Sequence, residues 1–133
     1  MNNKKLGNTF EKELCEILFK AGFWVHNFAN KTAGQPADII ACRDGKAWLI
    51  DAKECTNGTF DTRRVEENQK NSMILWADSG NGYGYFALKI SENEIYLMSH
   101  VKILEARNER RILSSEYIRT HSIPLNTWLG WRF

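Results

Sequence analysis

A chain of 133 residues, 43% hydrophobic and 26% charged, has the size and balance of one globular domain with a single core. No apolar run approaches a membrane span and the first residues (MNNKKLGN) lack the apolar stretch of a signal peptide, so a cytoplasmic protein with no membrane partner is expected. The net charge of +2 neither demands nor excludes nucleic acid, and the three cysteines (Cys15, Cys42, Cys55) form no zinc signature or disulfide set and read as reduced thiols.

The spacing predicts a first helix over 3–21. At 100° per residue, Leu6, Phe10, Leu14, Ile17, Leu18 and Ala21 form one apolar arc, with Lys5, Thr9, Lys12, Glu13, Glu16 and Lys20 opposite. Glu11 breaks the pattern at the edge of the arc, with Gly7 one turn back. An inward carboxylate costs free energy unless it is paired or helps to hold a cation. A salt bridge to Lys53 is the plain structural alternative. Gly22 fits a helix C-cap, and Phe23-Trp24-Val25 opens a strand over 23–28.

A hairpin follows over 37–52. The runs ADIIAC and KAWLIDA flank Asp44-Gly45, a favoured two-residue turn because both positions tolerate positive φ. With that turn Arg43 faces Lys46 and Asp38 sits opposite Asp51, although like charges placed opposite each other destabilise a hairpin. Alternation puts Asp38, Ile40, Leu49, Asp51 and Lys53 on one sheet face, and Trp48, Ile50 and Ala52 on the other. Two acids and a lysine at strand ends suit a hard cation with open water positions, Mg²⁺ or Mn²⁺. Such an ion activates water and polarises a phosphoryl oxygen, while Lys53 neutralises charge developing on the phosphate. The pattern reads as a metal-dependent nuclease site. The alternative is an ion pair in which both acids answer Lys53.

A second helix is predicted over 62–78, capped by Asp61 or Thr62. Gln69 interrupts its stripe of Val65, Ser72, Met73 and Trp76. The amide there either orients water or a phosphate, or bonds to backbone at the core edge. Arg63 and Arg64 flank the helix N-terminus, which favours a phosphate. Arg107, Arg110 and Arg111 form a second basic cluster, which is either a solvated face or a further phosphate contact. Strands are expected at 83–89 and 94–98, then a helical tail over about 99–133. Its aromatics Trp128, Trp131 and Phe133 are expected to close the core or a dimer contact. The order α-β-β-β-α-β-β describes an α/β domain with a mixed sheet flanked by helices.

Gly7-Asn8-Thr9-Phe10-Glu11, Ala37-Asp38-Ile39-Ile40-Ala41, Ile50-Asp51-Ala52-Lys53-Glu54, Phe60 and Gln69 together resemble the PD-(D/E)xK nuclease superfamily. Within it the chain is similar to Holliday junction resolvases of the bacterial RecU type and the archaeal Hjc type, from about Gly7 to Lys89. The resemblance implies a restriction-endonuclease-like mixed central β-sheet, with residues 1–133 as one nuclease domain. It implies a Mg²⁺-dependent homodimer that hydrolyses phosphodiester bonds at four-way DNA junctions in recombination and repair. Asp38 and Asp51 would be metal ligands, with the Ala52 carbonyl as a third and Glu11 holding a metal-bound water or second cation. Lys53 would serve catalysis with Gln69 in support. The chain departs from the pattern in three places. Only Ala29 to Pro36 (ANKTAGQP) stands where RecU-type enzymes carry a longer projection. Thr32 is the nearest match to a catalytic Ser of archaeal enzymes, which makes Lys31 and Thr32 candidate DNA contacts beside Arg63 and Arg64. Asp51 stands where Glu is usual. Small size suits an enzyme of a bacterial or phage-infected cell. Other readings are a nuclease of this fold acting on flaps, nicks or restriction sites, and a DNA-binding module with a degenerate site.

Overall fold

The computed structural model describes residues 3–28 and 37–130. In chain order the elements are α1 (Asn3–Lys20), β1 (Trp24–Asn27), β2 (Ile39–Arg43), β3 (Lys46–Glu54), β4 (Phe60–Asp61), a 3-10 turn at Thr62–Arg64, α2 (Glu67–Trp76), a π-type turn at Ala77–Asn81, and β5 (Tyr85–Ser91). There follow β6 (Glu94–Ser99), α3 (His100–Glu109), β7 (Ile112–Leu113), α4 (Ser115–His121), β8 (Ile123–Pro124) and α5 (Leu125–Leu129). Six strands form one sheet in the order β1-β2-β3-β5-β6-β8, and β4 pairs with β7 in a separate two-stranded ribbon. Among the described residues only β3 and β5 are parallel neighbours; the other pairs are antiparallel. The mixed sheet flanked by helices is the α/β architecture expected from the element order.

The apolar arc of α1 packs as its spacing requires: Phe10, Leu14 and Leu18 are fully buried. The helix ends where Gly22 adopts φ +94°, and the Phe23 N–H reaches back to the Leu18 carbonyl at 3.1 Å. That left-handed residue with its reach-back bond satisfies carbonyls that would otherwise face the core. On this side of the sheet Phe23, Ile39, Trp48, Ile50, Ala52 and Trp128 complete one apolar cluster. Trp128 stacks on Phe23 at 5.5 Å between centroids and meets Trp48 edge-on at 5.4 Å. It therefore closes the core, as expected for the tail aromatics; Trp131 and Phe133 lie outside the described residues.

The opposite face carries a second cluster, in which Leu49, Phe86, Leu88 and Met98 of the sheet meet Met73 of α2, Ile103 of α3 and Ile118 of α4. Close approach of α2 to the start of β5 depends on Gly84, where an added Cβ would lie 2.7 Å from the Met73 side chain.

Two predicted elements differ from the structure. The helix predicted over 62–78 is broken. Residues 62–64 form a 3-10 turn, Val65 is extended (φ −77°, ψ 106°), and α2 starts only at Glu67. Asp61 caps the short turn, not α2, by accepting the Arg63 N–H at 2.9 Å. Arg63 and Arg64 accordingly sit on that turn and do not flank the α2 N-terminus. The break follows from tertiary bonding: the Thr62 N–H and hydroxyl both donate to the Arg111 carbonyl at 2.8 Å, and Val65 is buried. The tail is also not wholly helical. It contributes β7 to the ribbon and β8 to the sheet edge beside β6.

Candidate active site

The Asp44-Gly45 turn sets the geometry of the site. Asp44 and Gly45 have φ +55° and +77°, the left-handed pair that matches hairpin twist. The Asp38 N–H donates to the Ile50 carbonyl at 3.2 Å, one residue off the register of the ladder, so the expected pairing of Asp38 with Asp51 is not formed and the predicted register holds only from Arg43↔Lys46 to Ile39↔Ile50. Beyond this pair β2 has ended, and the Asp38 side chain takes over the pairing: its Oδ2 accepts the Ala52 N–H at 2.9 Å. In a strand a residue's N–H and C=O face the same edge, so the Ala52 carbonyl faces the gap beside Asp38.

Asp51 is buried to 1% exposure. Its Oδ1 accepts a hydrogen bond from Gln69 Nε2 at 3.3 Å. The Lys53 ammonium lies 3.1 Å from Oδ2 and forms an ion pair with it. Burial pushes the Asp51 carboxyl up from 3.8 to about 7; the Lys53 charge opposes this and the Asp38 carboxylate adds to it. Burial thus favours the protonated Asp51 unless a positive charge is beside it. The Asp51 carboxylate, the Asp38 carboxylate across the hairpin and a backbone carbonyl beside them are hard oxygen donors. They fit a divalent ion that keeps several waters.

Gln69 joins α2 to this centre. Its Oε1 accepts the Glu66 N–H at 3.2 Å, stapling the helix start, while its Nε2 serves Asp51. The backbone bond expected of a core-edge Gln is present, and Asp51 is a partner not expected from the sequence. Lys53 Nζ also donates to the Arg64 carbonyl at 3.2 Å, so the turn at 62–64 holds the lysine as Asp51 does. Nothing local in the sequence marks that bond. The Arg64 guanidinium itself donates to the Glu54 carbonyl at 2.8 Å.

Glu11 projects inward as its position on α1 requires, at 8% exposure. It is not drawn into a three-acid centre: among the described residues no three Asp, Glu, His or Cys side chains cluster closely enough to hold an ion. Lys31 and Thr32 lie outside the described residues.

Residues 2–132 match the family model described as archaeal Holliday junction resolvase (Hjc). Among solved structures the chain is similar to the Hjc Holliday junction resolvase of Archaeoglobus fulgidus, an archaeal hyperthermophile. That likeness has 19% sequence identity and a TM-score of 0.71, over 93% of this chain and 100% of that one. No curated protein is significantly similar in sequence. The matched family is archaeal and lends no support to the expectation of a bacterial or phage-infected cell. With the model spanning nearly its whole length, the chain belongs to the archaeal Holliday junction resolvase (Hjc) family.

Proposed function

We propose that this protein is a divalent-metal-dependent endonuclease of the PD-(D/E)xK type that resolves four-way DNA junctions as a homodimer, with Mg²⁺ as its ion and Mn²⁺ able to substitute. Family membership supports the junction-resolving nuclease. The observation that supports the metal chemistry is the buried Asp51 carboxylate, paired with Lys53 at 3.1 Å and raised in pKa in part by the neighbouring Asp38. Asp38, Asp51 and the Ala52 carbonyl would hold the ion. When bound, the ion lowers the pKa of water and polarises the scissile phosphoryl oxygen.

The chain's own residues supply the rest. Lys53, held between Asp51 and the Arg64 carbonyl, faces the charge that builds on the phosphate as the bond breaks. Gln69 fixes the Asp51 carboxylate by its amide, so the acid does not rotate away from the ion. Glu11, buried on α1, would hold a metal-bound water or a second cation. Lys31 and Thr32 are proposed to meet DNA beside Arg63 and Arg64. A symmetric four-way junction is matched by a two-fold dimer, the commonest oligomer. No helix among the described residues is long and apolar enough to cross a membrane, and the cytoplasm, with its DNA, is the proposed setting.

The test is cleavage of a mobile four-way junction against linear duplex of the same sequence, with Mg²⁺ and after chelation. Preferential, Mg²⁺-dependent cutting of the junction is expected. Equal rates on both substrates would sink the resolvase reading, and cutting that survives chelation would sink the metal.

A further inference from the structure

Arg63 and Arg111 come from distant parts of the chain, yet one carboxylate holds both. Asp61 Oδ2 accepts from Arg63 Nη2 at 3.3 Å and from Arg111 Nε and Nη2 at 3.2 and 3.1 Å. Asp61 itself is fixed. Its Oδ1 caps the 62–64 turn, and its backbone pairs with Ile112 in the β4–β7 ribbon. The two Thr62 bonds to the Arg111 carbonyl complete the brace. Both guanidiniums nonetheless remain in water, with side-chain exposures of 65% for Arg63 and 57% for Arg111 against 25% for Asp61.

Exposed ion pairs add little to stability, so a fold gains little by hanging two arginines on one acid. What the arrangement does achieve is aim. A guanidinium has five N–H donors, and these bonds engage one on Arg63 and two on Arg111. One carboxylate against two guanidiniums leaves a net positive pair with forked donors, the chemistry suited to phosphate oxygens. The pair is also coupled to the candidate active site, because the same turn presents the Arg64 carbonyl to Lys53.

We propose that Arg63 and Arg111, aimed by Asp61, form a fork that grips the phosphate backbone of DNA next to the Lys53 site. The tail segment after α3 thereby becomes part of the DNA-binding surface. This rests on the reading of the protein as a DNA nuclease.

The experiment measures affinity of the full-length protein for a fixed four-way DNA junction and for linear duplex, in metal-free buffer across a salt series. The Arg63→Ala/Arg111→Ala variant is expected to bind the junction about tenfold more weakly and to lower the steepness of log affinity against log salt by about two, roughly one per lost phosphate contact. Asp61→Asn keeps an oxygen to cap the turn and removes the opposing charge, so it should bind as tightly as wild type or more so. If the double variant does not fold by its melting curve, Arg63→Ala alone should lower the steepness by about one. An unchanged salt dependence overturns the fork. So does an Asp61→Asn variant as weak as the double variant, which would make the arginines a brace only. Wild-type protein that binds neither DNA overturns the nuclease reading itself, and the fork with it.

Discussion

On the α1 face of the sheet, Phe10, Leu14, Leu18, Phe23, Trp48 and Trp128 pack without interruption. On the α2 face, the cluster around Leu49, Phe86 and Met98 gives way at the strand ends, where Asp51 and Lys53 continue the same alternation. One strand, β3, serves both: Trp48, Ile50 and Ala52 point to one side, Leu49, Asp51 and Lys53 to the other. The difference separates two kinds of cost. Loss on the α1 face removes packing that holds the molecule together. Loss at the polar end of the α2 face removes chemistry and, for Asp51 in the metal-free protein, relieves a buried charge.

The sharpest break of that comparison is Asp51→Asn. Removing a proposed metal ligand is expected to forfeit several kcal/mol of transition-state stabilisation, so junction cleavage should fall by about 10³-fold or more while junction binding persists. Stability should not fall with it. The folded carboxyl titrates near 7 and the unfolded one near 3.8. The folded state therefore binds the extra proton between these values, and this group's contribution is full below about pH 4 and lost as pH rises through about 7. Metal-free wild type should accordingly lose melting temperature across that window, and Asp51→Asn should flatten the loss. A variant that unfolds at pH 7 would contradict both statements.

Trp128→Ala is the mirror case: about 3–5 kcal/mol of stability lost through the cavity it leaves, read by denaturant unfolding, with cleavage per folded molecule little changed below the midpoint. Should its activity vanish while it remains folded, the two faces are not separable. Lys53→Ala comes next, with cleavage reduced about 10²- to 10³-fold, as for loss of one charge-stabilising donor, and a melting temperature lowered at neutral pH, where the buried Asp51 loses its counter-charge. Gln69→Ala straddles the boundary, since the side chain serves both Asp51 and the start of α2. A loss of about 10-fold or more in turnover is expected from a less fixed Asp51, the proposed ligand, together with about 1 kcal/mol from the lost cap. A change in only one of these readouts would refute the dual role.

The hairpin was readable because its evidence is local. Asp44-Gly45 specifies the turn, and the turn specifies the register as far as Ile39↔Ile50, while the one-residue slip at Asp38 has no local signal. Gln69 was readable as a polar residue in an apolar stripe, and Glu11 as an acid at the edge of one. The break at Val65 was not, because no Pro or Gly marks it; bonds from Thr62 to a carbonyl 49 residues away impose it. β7 and β8 have two residues each, too few to show a period of two, and exist only through their partners β4 and β6. The reach of Gln69 back to Glu66 lacks the usual Ser, Thr, Asp or Asn at the first position, so its capping signature is silent in sequence.

The bond from Lys53 to the Arg64 carbonyl makes the turn a lever between capture and turnover. Any load that shifts residues 62–64 carries the carbonyl with it, and the ammonium follows. If DNA grips that turn, as proposed, the way it grips should set where the Lys53 ammonium sits. Discrimination among DNA shapes should therefore appear in the single-turnover rate of bound substrate, and not in affinity alone.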